Sequence, residues 1–581
     1  MKNFLKLFKF LKPYKKWALL APILITLEVV MELMLPNIMS NIINIGIANN
    51  DFKYIILSSI LMILITVIGV LGGIGSTYYA AKASGYGAAD MRKEIFKKIS
   101  NLSILNLDKV KPGHLITVIT NDINIISNVL MMSLRLLFRV PVILIGSIFM
   151  VIIISPKLSL ILVFIIPLMA IVVGIIVNKA FPYFQIMQDG VDNVNTTVRE
   201  NLGGIRVVKA FVNEKHEMEK FDQVNKKLMD ITIKGFRFIS LVMPTSMIFI
   251  NIATLFILWY GGIEVIGGNL LVGDIIAFIQ YLTNILTSII MTSMVVAMLA
   301  RSEVSASRVN EIFELNSDLE DIENPLTISE IKGKVEFKNV SFSYEGGTGD
   351  AVLKNINFVV EAGDTIGIIG ATGSGKSSLV NLIPRFYEVS DGEILIDDIN
   401  IKNYRLDFLR EKIGIALQQA FIFSDTIKDN IKYGYEEAMD EEVIEAAKIA
   451  EAHDFINSKK KGYNELLEQR GTNLSGGQKQ RIVIARTILP KPSIIIFDDT
   501  TSAIDVTTDK KIRASMRKHL KDTTTFIVAS RVASIMDANK IIVLDDGKVM
   551  GFGTHEQLLK NNSIYQDIYY SQMSKGEMKD E

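Results

Sequence analysis

Thr365-Ile-Gly-Ile-Ile-Gly370-Ala371-Thr372-Gly373-Ser374-Gly375-Lys376-Ser377-Ser378 is the stretch that decides how this chain reads. An apolar run of strand character leads into a glycine-rich loop, and Ser-Leu-Val-Asn-Leu-Ile, of helical character, leaves it. Gly370 followed by Gly375-Lys376-Ser377 has the spacing of a phosphate-binding P-loop, in the strand–loop–helix context that the motif requires. Glycines let backbone N–H groups approach phosphate oxygens, and the start of the helix adds a positive dipole. In this pattern Lys376 pairs with the β- and γ-phosphates and Ser377 holds Mg2+.

Downstream, Ile494-Ile-Ile-Phe-Asp498 is an apolar strand ending in a carboxylate suited to hold Mg2+ through water. Between the two lies Leu474-Ser475-Gly476-Gly477-Gln478, followed by a basic helix start. A new alternating pattern, Val335-Glu-Phe-Lys-Asn-Val-Ser-Phe-Ser-Tyr344, opens this part of the chain as a strand.

Farther out the composition changes. With 581 residues the chain exceeds one ordinary domain, and 49% of it is apolar. The apolar residues concentrate before about residue 300, where runs at about 17–40, 54–82, 129–154, 158–178, 239–265 and 275–300 are long enough to cross a bilayer. Lys and Arg number 6 in residues 1–16, 6 in 84–127 and 10 in 179–238, whereas the alternate loops carry Lys53, Lys157 and none in 266–274. By the positive-inside rule the N-terminus, both long loops and the C-terminal half are cytoplasmic, in a multi-pass cell-membrane protein. The long loops keep a helical pattern, so the membrane helices should continue into the cytoplasm, with turns near 104–111 and 202–212 placed to touch an ATPase domain.

Residues 1–16, Met-Lys-Asn-Phe-Leu-Lys-Leu-Phe-Lys-Phe-Leu-Lys-Pro-Tyr-Lys-Lys, read as an amphipathic helix on the membrane surface, with Phe and Leu toward lipid. A plain cytoplasmic flank is the other reading. The following run lacks a small-residue cleavage site, which argues against a signal peptide. A formal net charge of zero argues against a nucleic-acid partner. The absence of Cys excludes disulfides and thiolate chemistry, and His114, His216, His453, His519 and His555 have no metal-ligand spacing.

P-loop, LSGGQ and apolar-strand-Asp, in that order, resemble the ABC ATPase family over about residues 331–570, and six preceding spans extend the resemblance to exporters of the multidrug and lipid-flipping type. The resemblance implies a six-span α-helical transmembrane domain over 17–320. It also implies an α/β P-loop ABC ATPase domain with a helical subdomain over 321–581. Its cofactors would be ATP and Mg2+. Tyr344 falls at the aromatic that stacks on adenine, Gln418 at the glutamine that senses Mg2+ and reports to the membrane domain, and Asp505 in the loop that crosses the dimer interface. LSGGQ would be supplied in trans to ATP on another subunit's P-loop, so one chain alone has no complete site.

Two positions depart from that family's pattern. Efficient hydrolysers carry Glu after the strand-end Asp as general base; here it is Asp499, one methylene shorter, which retracts the carboxylate by about 1.5 Å. A displacement of order 1 Å can cost roughly 10²-fold. Active members also place a His after the strand Thr-Thr-Thr-Phe-Ile-Val, and this chain has Ala529-Ser530-Arg531. Both changes strike hydrolysis and spare the binding residues. The combination resembles the degenerate-site subunit of heterodimeric exporters, whose partner half-transporter brings Glu and His. The alternative is drift at sites that still turn over slowly.

For transport, Glu28 and Glu32 in the first span, and Arg135 and Arg139 in the third, lie four apart on single helix faces. They read either as recognition of a cationic substrate or as structural pairs with one another. Met243, Met247, Met291, Met294 and Met298, with Gln280, Asn284 and Thr287, suit a cavity accepting many small amphipathic shapes, or plain packing among lipid-embedded helices. Rival readings are a homodimeric lipid or peptide exporter with two slow sites, and a nucleotide-gated channel or regulatory subunit. A soluble DNA-maintenance ATPase of the same nucleotide fold is excluded by the six spans.

Overall fold

The computed structural model describes residues 2–315, 319, 330–344 and 350–572. They form two compact units, one of Met1–Ser100 with Gly113–Glu314 and one of Asn101–Pro112 with Leu315–Glu581. The boundary expected at 320/321 lies outside the described residues.

The first unit is helical, and six of its helical segments are long and apolar enough to cross a membrane. Several run well past a bilayer. Phe52–Ser100 has 49 residues, Pro156–Gly203 has 48 and Val272–Glu314 has 43. At 1.5 Å per residue the longest approaches roughly 70 Å, against about 30 Å of hydrocarbon. The fourth span starts cleanly because Ser155 accepts a hydrogen bond from the Leu158 amide and Pro156 takes the first helical position. Glu214–Ser240 and Val242–Ile266 are separated at Leu241, with Pro244 in the first turn of the second helix, where a missing N–H costs little.

At the N-terminus, Lys2–Leu7 and Phe8–Tyr14 are helical. Phe4, Leu7 and Leu11 are buried in protein, so at these positions the apolar face does not meet lipid. The Asn3 and Phe4 amides donate to the Glu303 carboxylate, and Phe10 stacks on Phe313. The chain start thus seals the end of the last span helix.

Of the two loop turns, Ile104–Val110 is a short helix capped by Ser103 and grouped with the second unit, where Tyr387 donates to Asp108 at 3.1 Å. Burial, and then the Asp108 charge, push the Tyr387 hydroxyl well above the usual tyrosine range. Ile205–Ala210 belongs to the first unit and contains no buried residue.

The second unit holds two sheets. Strands β1 (Val335–Phe342), β2 (Leu353–Val360), β4 (Asp391–Ile396) and β5 (Ile399–Asn400) form an antiparallel sheet in the order β2-β1-β4-β5. The alternation read in β1 breaks at Lys338-Asn339, where a bulge shifts the register and Asn339 takes φ 49°. Strands β3 (Thr365–Gly370), β6 (Ile413–Ala416), β7 (Ile494–Asp498), β8 (Thr524–Val528), β9 (Lys540–Asp545) and β10 (Lys548–Gly553) form the second sheet, ordered β10-β9-β3-β8-β7-β6. All neighbours in it are parallel except β10 on β9. Every residue of β7 is buried, as a central parallel strand requires. A helical layer that includes Ile427–Lys432, Asp440–Ile449 and Gly476–Ile488 has its own apolar core around Ile431, Val443 and Ile482.

Candidate nucleotide site

Because β8 lies between β3 and β7, the P-loop, Ser530 and the Asp498-Asp499 pair emerge from the carboxyl ends of three adjacent parallel strands. That is where open α/β sheets place ligands. Gly373 and Gly375 have φ of 85° and 95°, values that a side chain at either position would strain. The Lys376–Leu382 helix starts directly after Gly375. Lys376 Nζ donates to the carbonyls of Gly370 at 2.9 Å and Ala371 at 2.8 Å, so the ammonium folds back over its own loop. Burial lowers its pKa, and Asp499 and Asp498 pull it back up. Ser374 is buried, and its hydroxyl has no hydrogen-bond partner among the described residues. The Ser377 hydroxyl donates to Asp498 at 3.0 Å. Burial raises Asp498 above the usual carboxylate range, although Ser377 opposes the shift. A loop with a spare buried hydroxyl, an ammonium bound to carbonyls, and a Ser–Asp pair with a desolvated carboxylate fits phosphates with a divalent cation.

Tyr344 lies beside this loop. Its hydroxyl is 2.8 Å from that of Ser378, and its ring meets Phe342 and Tyr387 edge-on. Gln418 is exposed just past the end of β6, while Thr372 is exposed on the P-loop itself.

Asp499 and Ser530 are neighbours. Ser530 Oγ donates to Asp499 Oδ2 at 3.3 Å, and the Asp499 amide donates to the Val528 carbonyl of β8. Asp499 has φ 49°, a left-handed conformation that short acids tolerate better than most residues. His519 is bonded to the Ser515 carbonyl and His555 to the Tyr565 hydroxyl, so both imidazoles are engaged elsewhere.

Ser475 caps the Gly476–Ile488 helix in a reciprocal box with Gln478, and Leu474 is buried just before it. A Cβ on Gly477 would stand 3.0 Å from the Ala503 carbonyl oxygen, so close packing favours glycine here. Asp505 caps the Val506–His519 helix by accepting from the Thr508 amide, which holds its carboxyl below the usual range.

Three side chains that the motifs do not mark tie these segments together. Gln480 accepts from the Ala503 amide at 3.1 Å, joining the LSGGQ helix to the Asp505 loop. Arg486 donates to the Asn430 carbonyl and side chain and to the Phe421 carbonyl, joining the same helix to the segment after Gln418. Burial lowers the Arg486 guanidinium to about 10, which leaves it charged at neutral pH. Gln572 brackets the Ser530 turn, donating to the Ser530 carbonyl and accepting from the Val532 amide, both at 2.8 Å. No local pattern marks any of the three, and nothing near Ser530 points to a residue 42 positions away.

A P-loop ATPase unit joined in one chain to six membrane-crossing helices defines an ATP-driven membrane transporter. Residues 18–290 match the ABC transporter transmembrane region and 353–502 match the ABC transporter ATPase model. This chain belongs to the ABC transporter family. It is 36% identical to the uncharacterized ABC transporter ATP-binding protein YfiB of Bacillus subtilis, over 98% of this chain and 99% of that one. It is 33% identical to the ATP-dependent lipid A-core flippase of Syntrophus aciditrophicus, over 85% of this chain and 82% of the flippase. A solved bacterial Atm1-family ABC exporter with ATP bound superposes with a TM-score of 0.80 at 25% identity, covering 97% and 99% of the two chains. The chain is an ATP-hydrolysing exporter of the cell membrane with a cytoplasmic ATPase domain, and such exporters work as dimers.

Proposed function

We propose that this chain is the weakly hydrolytic half of a heterodimeric exporter of small amphipathic, drug-like or lipid-like molecules. The observation that carries the reading is the Asp499–Ser530 pair. The carboxylate in the general-base position is short, and the hydroxyl in the place of the γ-phosphate-contacting imidazole is already bonded to it. Nucleotide binding is spared. Lys376 and the P-loop amides of Gly373–Ser378 would hold the phosphates, Tyr344 would stack on the base, and Ser377, Asp498 and Gln418 would hold Mg2+. That ion supplies charge neutralisation on the phosphates when bound. Ser475, Gly476, Gly477 and Gln478 would complete the partner's site, with Asp505 at the shared interface. The flippase likeness supports an amphipathic cargo.

The test is steady-state ATPase of the purified chain alone and co-purified with a half-transporter carrying Glu and His at the two positions. The chain alone should turn over far below the roughly 1 per second typical of enzymes, and the partner should restore turnover. Brisk hydrolysis by the isolated chain would refute the division of labour.

A further inference from the structure

Four charged side chains from the first and third spans meet in one cavity of ≈ 790 Å³, and they do not balance one another. Arg139 donates to Glu28 and, at 2.8 Å, to Glu32, so one guanidinium serves two carboxylates. That triad carries a surplus negative charge. Glu28 is the less open of the two acids: its Oε2 is buried without a hydrogen-bond partner among the described residues, and a Cβ on Gly73 would come within 2.5 Å of it. Both acids line the cavity, and Glu32, with its side chain 35% exposed, is the one more open to a ligand.

Arg135 is one turn before Arg139, about 6 Å along the helix. Among the described residues it has no ion-pair partner, and its buried Nε has no hydrogen-bond partner. The same cavity therefore holds an unanswered positive charge beside an unanswered negative one. The remaining wall is largely apolar, from Met31, Leu35, Ile65, Val70 and Ile74. Glu32 and Leu35 also line a second cavity of ≈ 320 Å³ that reaches Met39, Gln280 and Asn284, so Glu32 stands where the two adjoin.

Charges at membrane depth are costly unless paired. A monocation here would satisfy Glu32 and leave Arg135 bare, and a monoanion would do the reverse. We infer that the cavity is a binding site for a zwitterionic amphiphile, with its ammonium on Glu32, its anionic group on Arg135 and its apolar part along the Met31–Leu35–Ile65 wall. This names the substrate class of the export reading and rests on it. The zwitterion could be a lipid headgroup or a free small molecule, and the probes separate the two.

The experiment uses the whole transporter in nanodiscs of phosphatidylglycerol, which offer no competing zwitterion. Equilibrium binding is measured for lysophosphatidylethanolamine, for lysophosphatidylglycerol of the same chain as the anion-only control, for dodecyltrimethylammonium as the cation-only control, and for the soluble zwitterion norfloxacin. At least one zwitterion should bind about tenfold or more tighter than either control, the worth of one added charge-assisted contact. Preference for the lysolipid identifies a headgroup, and binding of norfloxacin as well identifies a free zwitterion. Arg135→Gln should abolish the zwitterion's advantage over the cation, and Glu32→Gln its advantage over the anion. A photoactivatable lysophosphatidylethanolamine should label the Glu28–Leu35 or Leu134–Val140 segment of the parent protein, a readout that needs no variant to fold. Equal affinity for all probes, labelling elsewhere, or an Arg135→Gln variant that loses dimer assembly with unchanged ligand preference would overturn the inference, the last by assigning Arg135 to a partner chain. Charge-selective binding without ATP-driven movement of any probe would uphold the site while counting against the export reading.

Discussion

At the scale of single residues, the ATP site on the proposed reading is whole for binding and altered for hydrolysis. Asp499→Glu together with Ser530→His should raise turnover in the assembled complex, and either change alone should do less, because residues acting as a unit are non-additive. The left-handed backbone at Asp499 will oppose the longer acid slightly, so the double variant should melt a little below the parent. Unchanged turnover in that variant would place the defect elsewhere. Asp498 supports a second expectation. Its carboxyl is pushed up by burial, so the charged form is disfavoured in the nucleotide-free protein. Because its folded pKa exceeds the unfolded value, its contribution favours folding at low pH and is lost as pH rises through the folded value. Asp498→Asn should therefore raise the nucleotide-free melting temperature at neutral pH, by about 2–4 °C for each kcal/mol recovered, while removing Mg2+-dependent nucleotide retention. A lower melting temperature without nucleotide would contradict this account of the buried carboxylate.

At the scale of elements, the LSGGQ helix Gly476–Ile488 is the hub of the second unit. Gln480 fastens it to the Asp505 loop and Arg486 to the segment after Gln418, so three segments that the motifs mark are tied to one another. Arg486→Gln would strand the Asn430 and Phe421 carbonyls, at a cost of about 2–4 kcal/mol. Differential scanning calorimetry should show the ATPase unit melting several degrees lower, with turnover falling further than nucleotide affinity at Lys376. A parent-like melt would mean that other contacts hold the helix. Much of this region was legible in the sequence, because P-loop, LSGGQ and strand-Asp are local patterns whose chemistry requires fixed spacing. The Arg486, Gln480 and Gln572 ties were not legible, since each joins segments that only the folded sheet and its helices bring together. The membrane half divides in the same way. Hydropathy and charge bias located six spans, and helical spacing placed Glu28 with Glu32 and Arg135 with Arg139. That Arg139 takes both acids and leaves Arg135 without an ion pair among the described residues depends on how the first and third spans meet. Likewise, Phe4 and Leu7 read as lipid-facing because sequence pattern cannot distinguish an apolar face on a bilayer from one buried in protein.

At the scale of the whole molecule, one chain of the proposed heterodimer would carry two separable duties: retention of nucleotide on its own P-loop, and completion of the partner's site through its LSGGQ segment. Lys376→Ala should weaken the first and spare much of the turnover. Gly477→Asp should nearly abolish turnover, because it sets a negative charge at the phosphate-facing end of the helix and crowds the Ala503 carbonyl at 3.0 Å. The deciding measurement is steady-state ATPase of both variants beside the parent complex, with nucleotide counted after rapid desalting. Lys376→Ala should keep appreciable hydrolysis with reduced retained nucleotide, and Gly477→Asp should lose nearly all hydrolysis with nucleotide still retained on this chain. Equal loss of turnover in the two variants would contradict that division and make this chain a catalytic subunit in its own right.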